Sequence, residues 1–169
     1  MEVGLLILRL VVGLTVAAHG VQKLFGWFGG YSLAGTGGFF EKLGFRPGKV
    51  HAFLAGAGET GGGLLLALGL LTPLGAAAVI VVMLVAGVSV HSKSFFASNG
   101  GFEYTLALGA AALTLAFTGP GSISLDAALG LQLAGPGWGA GAFLVGVAGG
   151  LAALASRRPV PQQTQPAAR

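Results

Sequence analysis

The segment VHAFLAGAGETGGGLLLALGLL, which occupies Val50–Leu71, decides the fold of this chain. An α-helix of about 20 apolar residues spans the ~30 Å hydrocarbon core of a bilayer, and this segment is long enough to do so. Near its middle lies one carboxylate, Glu59. A carboxylate at the centre of a transmembrane helix is unfavourable by roughly 2.5–3.5 kcal/mol on insertion scales, so it normally has a partner or a function. The segment therefore predicts a membrane-spanning helix with a polar site inside the bilayer.

Four further apolar blocks accompany this segment along the chain. They are Val3–Val21, Pro73–His91, Phe102–Thr118 and Trp138–Ala155. Only 8% of the residues are charged and 54% are hydrophobic, whereas a soluble globular domain has about 25% charged residues. The blocks predict an all-α fold, a polytopic transmembrane helix bundle with a four-helix core and a fifth, C-terminal transmembrane helix.

The apolar blocks divide the chain into three parts. Residues 1–133 form the predicted four-helix core, residues 134–156 the additional transmembrane helix, and residues 157–169 a disordered cytoplasmic tail. Between the first two blocks, residues 24–49 are rich in glycine and in aromatic side chains, which suit the headgroup level of a bilayer. Within this stretch, Phe39–Leu43 is predicted to form a short helix on the membrane surface.

The distribution of basic residues predicts the orientation of the helices. Apart from Arg9, every Lys and Arg follows the first, third or fifth apolar block. Lys and Arg are enriched in the cytoplasmic loops of membrane proteins. We therefore predict a multi-pass protein of the cell (inner) membrane, surrounded by the lipid bilayer, with its N-terminus outside and its C-terminus in the cytoplasm.

Five polar residues are predicted to converge at the cytoplasmic level of the bundle. His19, Gln22 and Lys23 have i, i+3 and i+4 spacing, so they share one face of the first helix. His91 ends the third block and Glu103 begins the fourth, on the same side. All five are candidates for ligand binding or proton relay. The simpler alternatives are a packed, hydrogen-bonded histidine, side chains that reach to the interface, and an acidic residue at a helix N-terminus.

Arg9 and Glu59 are two further candidates within the apolar blocks. Counted at 1.5 Å per residue from opposite membrane surfaces, their depths differ by about 7 Å in a ~30 Å core. An arginine side chain spans such a gap. We therefore predict an ion pair or a shared polar network between Arg9 and Glu59, with a purely helix-locking role as the alternative.

A second set of residues is expected to have structural roles. Gly58 and Gly62 form a G-x-x-x-G motif in the decisive segment, a pattern that lets membrane helices approach closely. Thr72 and Pro73 form a tight turn between the second and third helices, and proline suits a first helical turn. Asp126 is expected to be a helix cap or a loop carboxylate on the outer side.

The composition argues against several classes of site. There is no Cys, so disulfide, thiol and Cys-ligated metal chemistry cannot reside on this chain. The three histidines lack i, i+4 spacing and nothing selects a metal, so no metal site is predicted. The net charge of +4 reflects basic loops beside apolar blocks, not a basic stripe with interleaved aromatics, which argues against nucleic acid as a partner.

Six short motifs follow one another over about residues 3–129. They are Leu8-Arg9-Leu10, the run His19–Gly26, Gly58–Gly62, Gly69–Leu74, Gly100–Tyr104 and Gly119–Asp126. In this order they resemble the DoxX family of integral membrane proteins. The resemblance implies a four-helix membrane bundle, with the fifth block and the tail as departures. It also implies a redox-associated subunit, since some members are linked to thiosulfate:quinone oxidoreductase and another to a complex with superoxide dismutase and a sulfurtransferase.

Three functions are compatible with these features. The first is a redox-associated membrane protein, either a subunit or a quinone-interacting component of an oxidoreductase system, with an intramembrane polar pocket. Quinone would then be a noncovalent cofactor, and a soluble redox or sulfur-handling enzyme the partner. The second is a non-catalytic scaffold that recruits a soluble protein. The third is a carrier for a small solute or protons, for which five helices would call for a homo-oligomer. The sequence leaves open whether the chain is itself an enzyme.

Overall fold

The computed structural model describes residues 1–158, and the regular structure within them is helical. Seven α-helices follow one another in this part of the chain: α1 (Glu2–Phe25), α2 (Ser32–Lys42), α3 (Gly48–Leu68), α4 (Thr72–Ser89), α5 (Glu103–Thr118), α6 (Leu125–Ala128) and α7 (Pro136–Ala155). The predicted all-α class is confirmed. Most of the predicted C-terminal tail, residues 159–169, lies outside the described residues.

The five long helices correspond to the five apolar blocks. Helices α1, α4 and α7 are each long and apolar enough to cross a membrane. Helix α5 is a shorter apolar helix of 16 residues, and α3, with 21 residues, carries Glu59 among glycines and leucines. Together they form a polytopic helical membrane bundle, in which α7 packs outside a four-helix core of α1, α3, α4 and α5.

The bundle has two distinct ends, because helices that follow one another through the core run in opposite directions. Helices α1, α4 and α7 finish at the end that carries Lys23, Lys93 and Arg157, termed the basic end. Helices α3 and α5 finish at the opposite end, beside the short helix α6, which is termed the Asp126 end. The two ends hold different polar groups, and the basic end contains a large cavity.

Glycines at matching seven-residue intervals bring α1 and α3 into close contact. Gly13 of α1 packs against Gly63 of α3, and Gly20 packs against Gly56. A Cβ atom on Gly20 would lie 2.6 Å from the carbonyl oxygen of Gly56, which is too close for any larger residue without backbone movement. Small residues allow this approach of two membrane helices, and they fix the register of the antiparallel pair.

Glycines also set the contacts that α4 makes with α3 and α7. A Cβ atom on Gly146 of α7 would lie 2.6 Å from Cγ2 of Ile80, and one on Gly150 would lie 2.6 Å from Cδ2 of Leu84. On α3, a Cβ atom on Gly62 would lie 2.9 Å from a Cβ atom of α4. Helix α4 is therefore enclosed between two glycine-bearing helices, which explains why so much of its apolar surface is buried.

A buried carboxylate closes the turn between α3 and α4 at the Asp126 end. Asp126 is 1% exposed and accepts three hydrogen bonds: from the backbone N–H of Leu71 at 2.7 Å, and from the N–H and hydroxyl of Thr72 at 3.1 and 2.7 Å. Leu71 adopts a left-handed conformation with φ 45°, which is rare for leucine. Thr72 and Pro73, predicted to form the turn, are in fact the first two residues of α4, and the turn itself is Gly69–Leu71. It is held by a carboxylate from a segment distant in sequence.

Candidate functional site

A buried ion pair links α1 and α3 near the basic end. Lys23 Nζ lies 2.6 Å from Glu59 Oε2, a distance typical of a charge-assisted hydrogen bond. The Glu59 side chain is only 3% exposed, whereas that of Lys23 is 25% exposed. The close packing of Gly20 against Gly56 holds the two helices near enough for this contact. The partner of the intramembrane carboxylate is therefore the lysine in the last turn of α1.

The predicted ion pair between Arg9 and Glu59 is wrong. Arg9 lies at the Asp126 end, where its guanidinium donates hydrogen bonds to the carbonyl oxygens of Pro120, at 2.6 Å, and Ile123. The Arg9 residue is 4% exposed, so these carbonyls replace most of its hydration. Arg9 joins α1 to the segment before α6 and has a structural position in this bundle.

The direction of helical side chains explains why Glu59 pairs with Lys23. In an α-helix the Cα–Cβ bonds tilt toward the N-terminus. Because α1 and α3 are antiparallel, Lys23 tilts toward the middle of the bundle and Glu59 tilts toward the basic end, so the two side chains approach each other. Arg9 and Glu59 tilt away from each other. Helical rise alone gives the depth of each Cα atom but not this direction.

His19 packs on the side of α1 that faces α5. Its Nδ1 lies 3.1 Å from Oε1 of Gln22, and its Nε2 lies 3.4 Å from the hydroxyl of Tyr104, with the two rings edge to face. The Gln22 amide also donates to the carbonyl of Phe28 at 3.2 Å. His19 is thus hydrogen-bonded through both ring nitrogens and packed against Tyr104. Tyr104 was not singled out from the sequence, although it follows Glu103 in a motif that was.

A cavity of about 910 Å³ lies beside the Lys23–Glu59 pair at the basic end. Its polar wall contains Gln22, Lys23, His51, Glu59, Ser89 and His91. Its apolar wall includes Phe39, Phe40, Leu54, Val82, Val85 and Ala153. Small-molecule sites in proteins typically have volumes of about 300–1,000 Å³ and mostly apolar walls with a few polar groups, as here. The hydroxyl oxygen of Ser89 is buried and has no hydrogen-bond partner within residues 1–158.

Helix α2 and the end of α7 close this cavity from two sides. The predicted surface helix at Phe39–Leu43 is in fact the C-terminal part of the longer α2, whose side chains form one wall. After α7, the Arg158 N–H donates to the carbonyl of Gly44 at 2.8 Å. The Arg157 guanidinium donates to the carbonyl of Leu43 at 2.9 Å and lies 5.5 Å from the Phe45 ring centroid. The segment after α7 therefore holds the end of α2 against the bundle.

The comparison with known protein families agrees with this architecture. The sequence model of the DoxX family matches residues 4–92, which include α1 to α4 and the Lys23–Glu59 pair. The chain belongs to the DoxX family. A curated DoxX relative, "Putative oxidoreductase CatD" of Bacillus subtilis (strain 168), is 31% identical over 125 residues, covering 74% of this chain and 86% of the relative. No solved structure matches the chain.

The predicted polar cluster of this DoxX protein is only partly assembled. Of its five residues, Gln22, Lys23 and His91 line the cavity, together with Glu59. His19 is not among the lining residues. Glu103 does not line it, since its Oε1 accepts a hydrogen bond at 3.0 Å from the backbone of the Ala97–Asn99 turn that precedes α5. His51 and Ser89 also line the cavity but were not predicted as site residues. Each is an isolated polar residue in an apolar segment. Only the packing of α3 against α4 brings them to the same cavity, and the sequence does not show that packing.

The arrangement favours binding by hydrogen bonds over metal coordination. Within residues 1–158, no group of three or more His, Cys, Asp or Glu side chains is close enough to hold a metal ion. The cavity instead combines an ion pair, two imidazoles and a free hydroxyl with aromatic and aliphatic walls. Such a site can hold an apolar molecule and direct hydrogen bonds at a few polar atoms on it.

Proposed function

We propose that the cavity of this DoxX protein binds a quinone or a similar apolar, carbonyl-bearing molecule, and that the protein is a membrane component of an oxidoreductase system. The observation that supports the proposal is the Lys23–Glu59 ion pair on the wall of an apolar cavity. An ion pair that served only to lock two helices would not need to border a space of about 910 Å³. The name of the Bacillus relative supports an association with redox chemistry.

The groups around the cavity match the needs of a quinone. A quinone has a flat apolar ring that needs apolar walls and carbonyl oxygens that need hydrogen-bond donors. Phe39 and Phe40 of α2 and the valines of α4 supply the walls. The ammonium group of Lys23 has three N–H donors, and the short bond to Glu59 takes one of them. His51 and His91 provide further donors at the same cavity.

Electron transfer in such a system needs a partner. The chain has no Cys, so any thiol or sulfane-sulfur chemistry belongs to a substrate or to another protein. A soluble redox or sulfur-handling enzyme is the proposed partner. The basic end offers it exposed aromatic side chains, among them Trp27, Phe28 and Tyr31. In this proposal the membrane protein supplies the quinone site and the partner supplies the electrons.

The direct test is the thermal stability of the purified full-length protein in detergent, with and without a short-chain quinone. A ligand at 100 times its Kd stabilises the folded state by about 2.7 kcal/mol, which raises Tm. Lys23→Met should abolish the shift. Lys93→Met is the matched control, because Lys93 is an exposed lysine of the same end that does not line the cavity. If quinone leaves the Tm of the unsubstituted protein unchanged, the proposal is wrong.

A further inference from the structure

The Lys23–Glu59 pair leaves one acceptor and one donor free at the cavity wall. Lys23 bonds to Glu59 Oε2, while within residues 1–158 the other carboxylate oxygen, Oε1, has no hydrogen-bond partner. Both residues line the cavity. Lys23 Nζ also makes a long contact of 3.5 Å with the His19 carbonyl, so at least one of its three N–H groups remains free. A ligand in the cavity therefore meets an N–H donor and a carboxylate acceptor side by side.

These two groups do not treat the oxidised and reduced forms of a quinone alike. The oxygens of the oxidised form are carbonyls, which accept hydrogen bonds and cannot donate them. Such an oxygen can pair with Lys23 but gives no donor to the free oxygen of Glu59. A ligand that covers this charged acceptor without a hydrogen bond pays its desolvation, which is strongly unfavourable. A hydroxyl group both accepts and donates. A hydroxyl can therefore accept a hydrogen bond from Lys23 or donate one to Glu59. It satisfies the hydrogen-bonding groups of the ion pair better than a carbonyl does.

The other polar groups of the cavity do not reverse this preference. His51 and His91 also line it. A neutral imidazole presents one donor nitrogen and one acceptor nitrogen, so it can pair with either a carbonyl or a hydroxyl. The hydroxyls of Ser89, Thr36 and Tyr31 and the amide of Gln22 likewise donate and accept. The ammonium group of Lys42 donates to a carbonyl and to a hydroxyl alike, so it does not distinguish the two forms. Glu59 is the one carboxylate on the cavity wall among the described residues, and it is the group that discriminates.

We infer that the site selects the reduced, hydroxyl-bearing form of its aromatic ligand, the quinol, over the oxidised quinone, with Glu59 as the specificity-determining residue. The inference rests on the proposed function and adds the redox state of the ligand. Thermodynamic linkage gives its consequence, since a site that binds the reduced form more tightly raises the midpoint potential of the bound couple relative to the free one.

The test uses two redox-inactive probes that differ only in the hydroxyl hydrogen, para-octylphenol and its methyl ether. Their Kd values are measured by calorimetry on the full-length protein in one detergent. The phenol is expected to bind about tenfold more tightly or better, as a hydrogen bond to a charged acceptor provides. Glu59→Gln should bring the ratio of the two Kd values close to one, since a neutral amide accepts more weakly. Comparing ratios cancels the partition of the probes into micelles.

Glu2→Gln is the matched control, because Glu2 is an exposed carboxylate at the Asp126 end, and it should keep the ratio of the unsubstituted protein. Equal Kd values for phenol and ether in the unsubstituted protein would overturn the inference, whether or not Glu59→Gln folds. An undiminished ratio in folded Glu59→Gln would also overturn it, because another acceptor would then be responsible. If short-chain quinone binds without any preference for the phenol, only this inference fails. If neither the two probes nor short-chain quinone bind, the proposed function fails with it.

Discussion

Asp126 holds Leu71 in a left-handed backbone conformation by accepting a hydrogen bond from its N–H at 2.7 Å. The other carboxylate oxygen of Asp126 accepts from both the N–H and the hydroxyl of Thr72. These bonds satisfy donors at the start of α4 that have no partner within the helix. The carboxylate thus joins α6 to the turn between α3 and α4 and determines how these helices meet.

Replacement of Asp126 should lower the stability of the bundle. Asp126→Ala leaves three donors without their acceptor, and buried unpaired groups are each unfavourable by about 1–3 kcal/mol. We expect a clear drop in Tm in detergent. The Tm of Asp126→Asn should lie between those of Asp126→Ala and the unsubstituted protein, because the asparagine amide keeps one acceptor oxygen. Ser122→Ala, an exposed change in the same segment, is the control and should leave Tm unchanged.

Double-mutant cycles should separate the two ionic sites. Lys23→Gln and Glu59→Gln are expected to show a coupling energy of about 0.5–3 kcal/mol in stability, because their side chains share a hydrogen bond. Arg9→Leu and Glu59→Gln should be additive to within about 0.5 kcal/mol, because Arg9 contacts the carbonyls of Pro120 and Ile123 instead. Coupling between Arg9 and Glu59 as strong as that with Lys23 would contradict the structure.

The glycine contact between α1 and α3 should be intolerant of added volume. A methyl group on Gly20 would meet the backbone of α3, so Gly20→Ala should destabilise the protein by about 1–3 kcal/mol, as overpacking does. It should also weaken quinone binding, since the Lys23–Glu59 contact depends on this approach. Gly61→Ala is the control on α3, because nothing lies within 4 Å of the added carbon. Equal stability of Gly20→Ala and the unsubstituted protein would show that the close packing is wrong.

The orientation in the membrane is open to a labelling experiment. The chain has no natural Cys, so a maleimide label reacts only with the single Cys that is introduced. With the basic end in the cytoplasm, Ser122→Cys should react in intact cells with a membrane-impermeant maleimide, and Ser156→Cys should react only after permeabilisation. The reverse pattern would invert the predicted topology. The basic end, with its cavity, would then face the outside.

The sequence determined the helices but not the contacts between them. The block Trp138–Ala155 predicted α7 to within two residues, because a run of apolar residues long enough to span a bilayer has few alternatives to a helix. The partner of Glu59 depends on the register between α1 and α3, which is set by Gly13 and Gly20, whereas the predicted G-x-x-x-G motif of Gly58 and Gly62 faces α4. The tilt of helical side chains toward the N-terminus favours Lys23 over Arg9 as this partner.

The cavity was harder to anticipate than the ion pair. Residues of α2, α3, α4 and α7 meet around it. The sequence between α1 and α3 predicted only an aromatic-rich stretch with a short surface helix, not the longer α2. The true α2 begins at Ser32 and contains three glycines, which lower intrinsic helix propensity. Packing of Gly37 against Lys49 at the start of α3 compensates for this. Such compensation is tertiary and leaves no local signal.

The bond between Arg158 and Gly44 has a practical consequence for anyone who handles this protein. It anchors the last described residues of the chain next to the loop that follows α2, at the rim of the cavity. A purification tag or fluorescent reporter joined directly after Arg158 starts next to this loop, beside the cavity wall formed by α2, and can obstruct the cavity. The amino terminus lies some 30 Å away along the bundle, about the length of a 20-residue helix, and is the safer place for a fusion.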